Sequence, residues 1–409
     1  MGTVERLNRI VLWFACLTER TPREDREMTD IIQYIIQWLC YGNTAAAARV
    51  AYTTDEQALA QYDIIIVPNG QLGINIVLPD MTKPVVENPA KGKYIIRTDI
   101  IYNTFFFISR AEEVLNPHRD KHGRFLAEYS ILGMQNRLQI PSLDEYARML
   151  LKLLGATLPE TGFGHIYLTH DIDSIAQYRH LRGAIGGILR GETKQVWKAI
   201  QDIHHDPIYT FPSMIEEDKR VTDAQTIYFV KQTKGKGYDY PQYWLHGRDW
   251  KNLRQLLKDS GAQLGVHSSY YGLLPSKPIS QWHRSHFLNC SLEQMQQVVE
   301  AGFTDDFTMG FADQAGFRLQ TSRAVQWINP QTMQLTSLTM HPLIIMDCTL
   351  SNDDYMNLTE DEAYFLCERL IAKVRMHHGD ACLLWHNSNF GSHTYHTSLY
   401  PKILQLLHG

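Results

Sequence analysis

The sequence predicts an α/β protein of two domains, the second of which is built from parallel strands joined by helical crossovers. Its 409 residues are too many for one ordinary core. After residue 164, short strand-like runs alternate with helical stretches, the pattern of a barrel or of an open parallel sheet. A Pro/Gly cluster at residues 158–164 comes before this alternation. We therefore predict domains over residues 1–157 and 158–409.

The predicted N-terminal domain mixes strands with amphipathic helices. Residues 10–16 and 63–68 are short apolar runs that predict strands, the second of them closed by Pro-Asn-Gly. Apolar residues recur every three or four positions over 24–40 and 143–154, which predicts two helices. Ser142 or Asp144 would cap the second helix, and Gly155 would end it. The aromatic stretch 102–107 is expected in the core rather than as a surface for sugars.

Six strand-like runs follow in the second predicted domain. They lie at residues 165–169, 226–230, 263–267, 287–288, 343–346 and 382–385. Reactive side chains in such folds gather where parallel strands end, because loops leave the sheet there around one mouth. The polar residues that follow these runs are therefore the candidates for chemistry.

Composition excludes several classes of partner and site. With a net charge of −5 and no run of Lys and Arg, the chain lacks the positive surface that nucleic acid binding needs. The six cysteines are scattered with no CxxC pair, which favours a reducing compartment, and we expect the cytoplasm. No stretch approaches the roughly 18 consecutive apolar residues of a membrane-spanning helix.

Asp171 and Asp173 follow the first strand of the second predicted domain. Side chains two residues apart in an extended strand point to the same side, so the two carboxylates can share one site. Close carboxylates repel unless a cation or a proton lies between them, which makes one a natural metal ligand and the other a natural base. The competing interpretation is a pair of surface carboxylates that cap the following helix.

Histidines and an arginine come at the later strand ends. His267 ends one run, His386 follows the last, and residues 283–286 include Arg284 and His286. If that piece is extended, Arg284 and His286 share one face. One Asp and two His suit zinc, with a position left open for water. His286 could instead be a structural histidine, and Arg284 could pair with another buried carboxylate, Asp306 or Asp347.

The ordered motifs resemble the polysaccharide deacetylases of carbohydrate esterase family 4. More narrowly, they resemble a bacterial group that has an extra N-terminal domain and is often associated with gene clusters for cell-surface polysaccharide. The matching segments of the second domain are 168–173 (LTHDID), 265–270 (GVHSSY), 284–288 (RSHFL), 306–313 (DFTMGFAD), 316–318 (GFR), 346–347 (MD) and 384–387 (LWHN). Residues 109–113 (SRAEE) and 120–124 (DKHGR) resemble the leading domain of that group. The resemblance implies a distorted (β/α)7 barrel preceded by a smaller α/β domain.

The resemblance also implies roles for single residues. Asp171 would be the base, Asp173 and His267 metal ligands, Arg284 the group that orients the base, and His386 the acid. The usual second motif supplies two histidines, but here the second position is Tyr271, and a phenol is a poor ligand at neutral pH. We therefore expect His286 as the further ligand. The link between residues 267 and 283 is also short for a helical crossover.

These expectations lead to one function and two alternatives. The first is a hydrolase that uses a divalent metal, zinc in our expectation, to remove an acyl group, here N-acetyl, from a sugar or polysaccharide precursor. An inactive deacetylase-like protein that binds carbohydrate is the second, because Tyr271 departs from the family pattern. The third is a glycosyltransferase that uses Asp171 and Asp173 around a nucleotide sugar, a reaction with no use for His386. The sequence does not set the oligomeric state.

Overall fold

The structure is a computed structural model that describes residues 22–68, 82–233, 235, 237–240, 243–391 and 394–408, with only the backbone for 22–25. The predicted strand at 10–16 lies outside the described residues. The α-helices are α1 (Pro22–Leu39), α2 (Thr44–Ala47), α3 (Ile100–Ile108), α4 (Glu112–Leu115), α5 (Ile131–Met134), α6 (Ser142–Leu153), α7 (Leu181–Leu189), α8 (Thr193–Gln201), α9 (Phe211–Asp218), α10 (Arg248–Ser260), α11 (Leu292–Glu300), α12 (Asp347–Ser351), α13 (Glu360–Met376) and α14 (His396–Gln405).

A four-stranded mixed sheet lies in the N-terminal part. Its strands are β1 (Val50–Tyr52), β2 (Ile64–Ile66), β3 (Val86–Ala90) and β4 (Lys93–Ile96). Among the described strands the order is β1-β2-β4-β3, and the β3/β4 pair is antiparallel while the others are parallel. Helices α1 and α6 confirm the two predicted amphipathic helices. The aromatic stretch 102–107 is buried in α3, as expected for core.

The cap expected for α6 is wrong. The residue before the helix is Pro141, and it makes no side-chain capping bond. Asp144 instead turns its carboxylate toward Thr321 and Ser322, whose hydroxyl groups donate to it at 2.6 and 3.0 Å. The Asp144 carboxylate therefore accepts hydrogen bonds from residues distant in the chain, and not from the backbone N–H groups at the start of α6. Gly155, at φ +61, follows the last turn as predicted.

The second sheet has nine strands and is mainly parallel. They are β5 (Ile166–Ile172), β6 (Ala224–Lys231), β7 (Gln263–His267), β8 (Trp282–Arg284), β9 (Asp305–Asp306), β10 (Val325–Asn329), β11 (Gln334–Met340), β12 (Ile345–Met346) and β13 (Ala381–Leu384). Their order is β10-β11-β9-β8-β7-β6-β5-β13-β12, with β10/β11 the antiparallel pair. The α/β class with parallel strands is therefore confirmed, and the (β/α)7 barrel remains a prediction.

Five of the six predicted runs in this part overlap strands, and one is wrong. Residues 287–288 lie in a 3₁₀ turn, His286–Leu288, and the strand is the preceding β8. Two apolar residues cannot by themselves distinguish a strand from a turn. Between β7 and β8 the described chain has no helix, in keeping with the short link noted in the sequence.

The sheet is curled, with helices on its outer face. On that face α13 and α14 pack on β5 and β13, and α9 and α10 pack beside them on β5 and β6. On the other face Tyr167 of β5 contacts the ring of Phe307, just beyond β9, with centroids 5.3 Å apart. Since β5 and β9 are separated by three strands, this contact requires strong curvature.

The N-terminal part packs directly on the larger sheet. One apolar cluster joins α1, α3 and α6 to β10, β11 and α11. Trp38 donates to the carbonyl of Ala324 at 3.0 Å, and Tyr41 donates to that of His377 at 3.0 Å. The core is thus continuous across residue 158, and the division into two domains stays a prediction.

Candidate functional site

The site lies where β5, β6, β7 and β8 end, on the inner face of the sheet. Strand register places Lys231 opposite His267, and His267 opposite Arg284. Asp171 is the inward-facing residue at the end of β5, and Asp173 follows two residues later. Because the strands are parallel, all these side chains leave the same edge of the sheet. The structure therefore brings together the two carboxylates that the sequence singled out.

Asp173, His267 and His286 form a group that could hold a metal ion. Their ligand atoms all lie within 4.8 Å of one another. The Asp173 Oδ1 atom is 3.6 Å from His267 Nε2 and 3.4 Å from His286 Nε2. Tetrahedral zinc with bonds of about 2.0–2.1 Å places neighbouring ligands about 3.3–3.5 Å apart, so these distances suit such an ion.

Unpaired polar atoms in this group also fit a cation. Asp173 Oδ1 and His267 Nε2 are buried without a hydrogen-bond partner among the described residues. Leaving such atoms unpaired is costly, and a divalent cation would satisfy both. The Asp173 carboxylate is otherwise open, with 39% of its side chain exposed. The residues present therefore suit a metal that keeps one side toward a substrate, and they do not set its identity.

His286 reaches the group by a route that the sequence did not predict. The extended piece expected over 283–286 ends at Arg284, and His286 begins a 3₁₀ turn. His286 nevertheless points its Nε2 toward Asp173, because its Nδ1 is 3.2 Å from Asp239 Oδ1. Asp239 is buried and was missed. It lies in a glycine-rich loop after β6, where no periodic pattern marks it. A carboxylate on the second nitrogen fixes the tautomer of a ligating imidazole.

Lys231 is the other residue that the sequence analysis missed. It ends β6, so the strand-end rule that selected His267 would also have selected it. Its Nζ lies 3.5 Å from Asp173 Oδ1. Burial raises the pKa of the Asp173 carboxyl, but the charges of Lys231 and His286 outweigh burial and hold that pKa below its usual range. Asp173 is therefore ionised at neutral pH.

Asp171 is held in a different environment from Asp173. It is buried, and its Oδ1 lies 3.6 Å from Arg284 Nη1. Arg284 is fully buried, donates to Thr169 Oγ1 at 2.9 Å and lies over the Phe229 ring. Burial raises the pKa of Asp171, and the Arg284 charge opposes this without cancelling it. A carboxyl of raised pKa beside an open carboxylate is the division of roles that base chemistry needs.

His386 faces both carboxylates from the end of β13. Its Nε2 is 4.0 Å from an oxygen of Asp171 and 4.0 Å from one of Asp173. Its Nδ1 lies 2.7 Å from Asp347 Oδ1, and its backbone N–H donates to Asp347 Oδ2 at 2.7 Å. Burial lowers the pKa of His386, but the charge of Asp347 outweighs burial and raises it well above its ordinary value. An imidazole whose pKa is raised in this way keeps its proton at neutral pH.

Asp347, Cys348 and His386 form a second group with ligand atoms within 4.8 Å of one another. The Asp347 oxygens already accept bonds from His386, from the Cys348 backbone N–H at 2.7 Å and from Asn389 at 3.1 Å. This group is thus a satisfied hydrogen-bond network, in contrast to the unpaired atoms beside Asp173.

The two carboxylates proposed as alternative partners of Arg284, those of Asp306 and Asp347, accept hydrogen bonds from other residues. Asp306 accepts from His283 Nδ1 at 2.7 Å and from Thr308, and Asp347 accepts from His386. Tyr271, at the position of the missing histidine, is 57% exposed. Trp282, an aromatic residue in β8, lies near the Phe307 ring on the inner face, with centroids 6.2 Å apart. Tyr270 does lie beside the site, with its ring 6.4 Å from that of His286.

Comparison with known proteins finds a matching family and a similar solved structure. Residues 5–159 match a family described as "Family of unknown function (DUF7033)". Among curated proteins none matches. A solved structure from Mycobacterium smegmatis, described as a "putative polysaccharide deacetylase", is similar at 14% identity and a TM-score of 0.39, over 62% of this chain and 86% of that one. A TM-score this low does not establish a shared fold.

No helix within the described residues is long and apolar enough to cross a bilayer. The five cysteines of those residues are all free, so no disulfide supports this part of the fold.

Proposed function

We propose that this chain is a metal-dependent hydrolase that removes an acyl group, N-acetyl in our expectation, from a sugar or polysaccharide precursor. The observation that carries the proposal is the convergence of Asp173, His267 and His286 around one point, with unpaired atoms turned toward it. Asp171 and His386 both lie beside this group: Asp171 Oδ2 is 3.4 Å from His267 Nε2, and His386 Nε2 is 4.0 Å from Asp173 Oδ2. The family resemblance of the motifs supports the same reaction.

A divalent cation held by Asp173, His267 and His286 would supply Lewis-acid polarisation of the acyl carbonyl. Asp171 would accept the proton of the attacking water. Its position 3.4 Å from His267 Nε2 and its raised pKa suit a base that must also release the proton afterwards. Arg284 would keep this carboxyl oriented through the 3.6 Å contact.

His386 would donate a proton to the departing nitrogen. Its Nε2 faces the mouth, while Asp347 holds Nδ1 and keeps the ring charged. The two proton transfers would thus fall to two neighbouring residues, since His386 Nε2 lies 4.0 Å from Asp171 Oδ2. A DxD glycosyltransferase would have no use for this acid at a late strand end.

Carbohydrate is the proposed substrate because of the resemblance and of the aromatic rim. Tyr238 and Tyr271 are each more than half exposed, and Tyr270 lies between them in ring contact with both. Exposed aromatic faces beside polar groups suit the apolar face of a pyranose ring. The scattered cysteines favour the cytoplasm, where the substrate would be a lipid-linked or nucleotide-linked precursor.

The test is metal content together with acetate release. The purified chain, loaded with Zn²⁺ and dialysed, should retain about one equivalent and release acetate from N-acetylated sugars. His267→Ala should lose most of the metal and the activity. His165→Ala is the matched control, because His165 is an exposed histidine at the opposite end of β5.

The outcomes separate the alternatives. Metal retained equally by His267→Ala and by the parent would contradict the ligand assignment. Stoichiometric metal without acetate release from any acetylated sugar, but with sugar binding, would favour the inactive carbohydrate-binding protein. Tight binding of a nucleoside diphosphate would favour the glycosyltransferase.

A further inference from the structure

The turn that carries His286 is conformationally strained. Phe287 and Leu288 have φ values of 59° and 53°, in the left-handed region that side chains with a Cβ rarely adopt. Such a backbone persists only where its surroundings hold it. Since Phe287 directly follows His286, whatever holds this turn also sets where the imidazole points.

The N-terminal part of the chain holds this turn from one side. Asn289 Nδ2 donates to the carbonyl of His122 at 2.7 Å, and Arg110 Nη2 donates to the carbonyl of Cys290 at 2.6 Å. The His122 ring lies 5.0 Å from the ring of Phe287. The strained turn is therefore anchored by residues more than 160 positions earlier in the chain.

His122 is also connected, through Tyr270, to Asp239, the carboxylate that orients His286. The Nδ1 of His122 is 3.1 Å from the hydroxyl of Tyr270. The backbone N–H of Tyr270 donates to Asp239 Oδ1 at 2.7 Å, the oxygen that faces His286 Nδ1. Two series of contacts therefore connect His122 with His286, one through the turn and one through Tyr270 and Asp239.

The segment 120–124 is built to hold His122 in place. Asp120 Oδ1 accepts the backbone N–H groups of His122 and Arg124, and its Oδ2 accepts two bonds from the Arg124 guanidinium. Arg124 also donates to Tyr355 at 2.9 Å and lies near the Phe287 ring. These contacts give a structural reason for the motif at 120–124, which the proposed reaction does not use.

We infer that the N-terminal part helps to set the geometry of the metal centre, and that His122 is a positioning residue for the ligand His286. The inference rests on the proposed metal role of His286. It assigns a task to the region that matches a family of unknown function. That region supplies none of the three proposed ligands, and it would fix the geometry of the His286 imidazole, which is one of them.

Co²⁺ titration of the full-length chain tests this inference, because the visible spectrum of Co²⁺ reports its coordination. His122→Ala should weaken Co²⁺ binding by about tenfold and change the spectrum, as removal of outer-shell partners does. Tyr270→Phe removes only a hydroxyl and should weaken binding in the same direction by roughly threefold. Tyr41→Phe is the control, because it removes another bond between the two parts, to His377, without touching the turn.

The inference and the proposed function fail differently. If His122→Ala and Tyr270→Phe bind Co²⁺ like the parent while Asp239→Asn binds it weakly, the metal centre stands and the role of His122 is wrong. If the parent takes up no Co²⁺, both are wrong. Should His122→Ala not fold, Tyr270→Phe decides. An effect of Tyr41→Phe as large as that of His122→Ala would mean that general loosening, and not positioning, weakens the site.

Discussion

At the scale of single residues, the site depends on two aspartates that are two positions apart and have opposite environments. Asp171 is buried against Arg284, and burial raises its pKa. Asp173 lies among Lys231 and imidazoles, and their charges hold its pKa below the ordinary range despite burial. The same side chain thus suits a proton acceptor in one place and a metal ligand in the other.

Because the two environments differ, the same Asp→Asn substitution should have different effects at positions 171 and 173. Asp171→Asn keeps the shape but removes the base, so kcat should fall about 10²- to 10⁴-fold while the bound metal stays stoichiometric. Asp173→Asn should instead lower the metal content. Metal analysis beside kcat for both variants checks this. Equal loss of metal in the two would show that Asp171 is itself a ligand.

At the scale of elements, β6 and β7 approach each other closely at a glycine. A Cβ on Gly265 of β7 would lie 2.4 Å from the ring of Phe229 on β6. The Arg284 guanidinium lies over that ring, with Cζ 4.8 Å from its centroid. Gly265 therefore lets a buried ring support the arginine that contacts Asp171.

Gly265→Ala should accordingly destabilise the chain. The buried Phe229 ring must move, and such overpacking costs about 1–3 kcal/mol of unfolding free energy. Urea unfolding measures the change. The control is Gly186→Ala in α7, where an added Cβ meets only the end of the Arg190 side chain at 3.3 Å. That variant should be neutral or more stable by about 0.5–1 kcal/mol, and an equal loss in both would contradict the clash.

At the scale of the whole molecule, a buried ion cluster joins the two parts of the chain. Glu113 accepts two bonds from Arg110 at 2.8 Å and one from Arg318 at 2.6 Å. Burial raises the pKa of Glu113, but the two guanidinium charges outweigh burial and lower that pKa from 4.5 to about 2. Because the folded pKa lies below the unfolded one, this stabilisation is complete above pH 4.5 and is lost as the pH falls toward 2.

Glu113→Gln should leave both arginines without their carboxylate and cost about 3 kcal/mol at pH 7. The unfolding free energy of the parent should fall between pH 4.5 and 2 more steeply than that of the variant. Urea unfolding across this pH range measures both slopes. Parallel curves would show that Glu113 does not contribute to the acid sensitivity.

The sequence was most informative where a side chain follows directly from strand periodicity. Asp171 and Asp173 could be assigned to one side of a strand end because alternate residues share a face. His267 and His386 were found by a second rule, because they lie at or directly after the ends of predicted strands. Neither rule selects Asp239, because it lies in a glycine-rich loop and comes close to His286 only in the folded chain. The path of His286 was predicted wrongly, since a left-handed turn at Phe287 leaves no clear periodic signal.

The sequence by itself determined the α/β class, the parallel direction of the main strands and the residue types at their ends. These follow from local periodicity, which each segment carries in its own side chains. Only the tertiary structure decided which of those residues meet, which polar atoms stay unpaired, and how the N-terminal part reaches the turn beside His286. Such contacts join residues far apart in the chain, 47 positions for His286 and Asp239 and 180 for Arg110 and Cys290. Their geometry depends on the packing of whole elements.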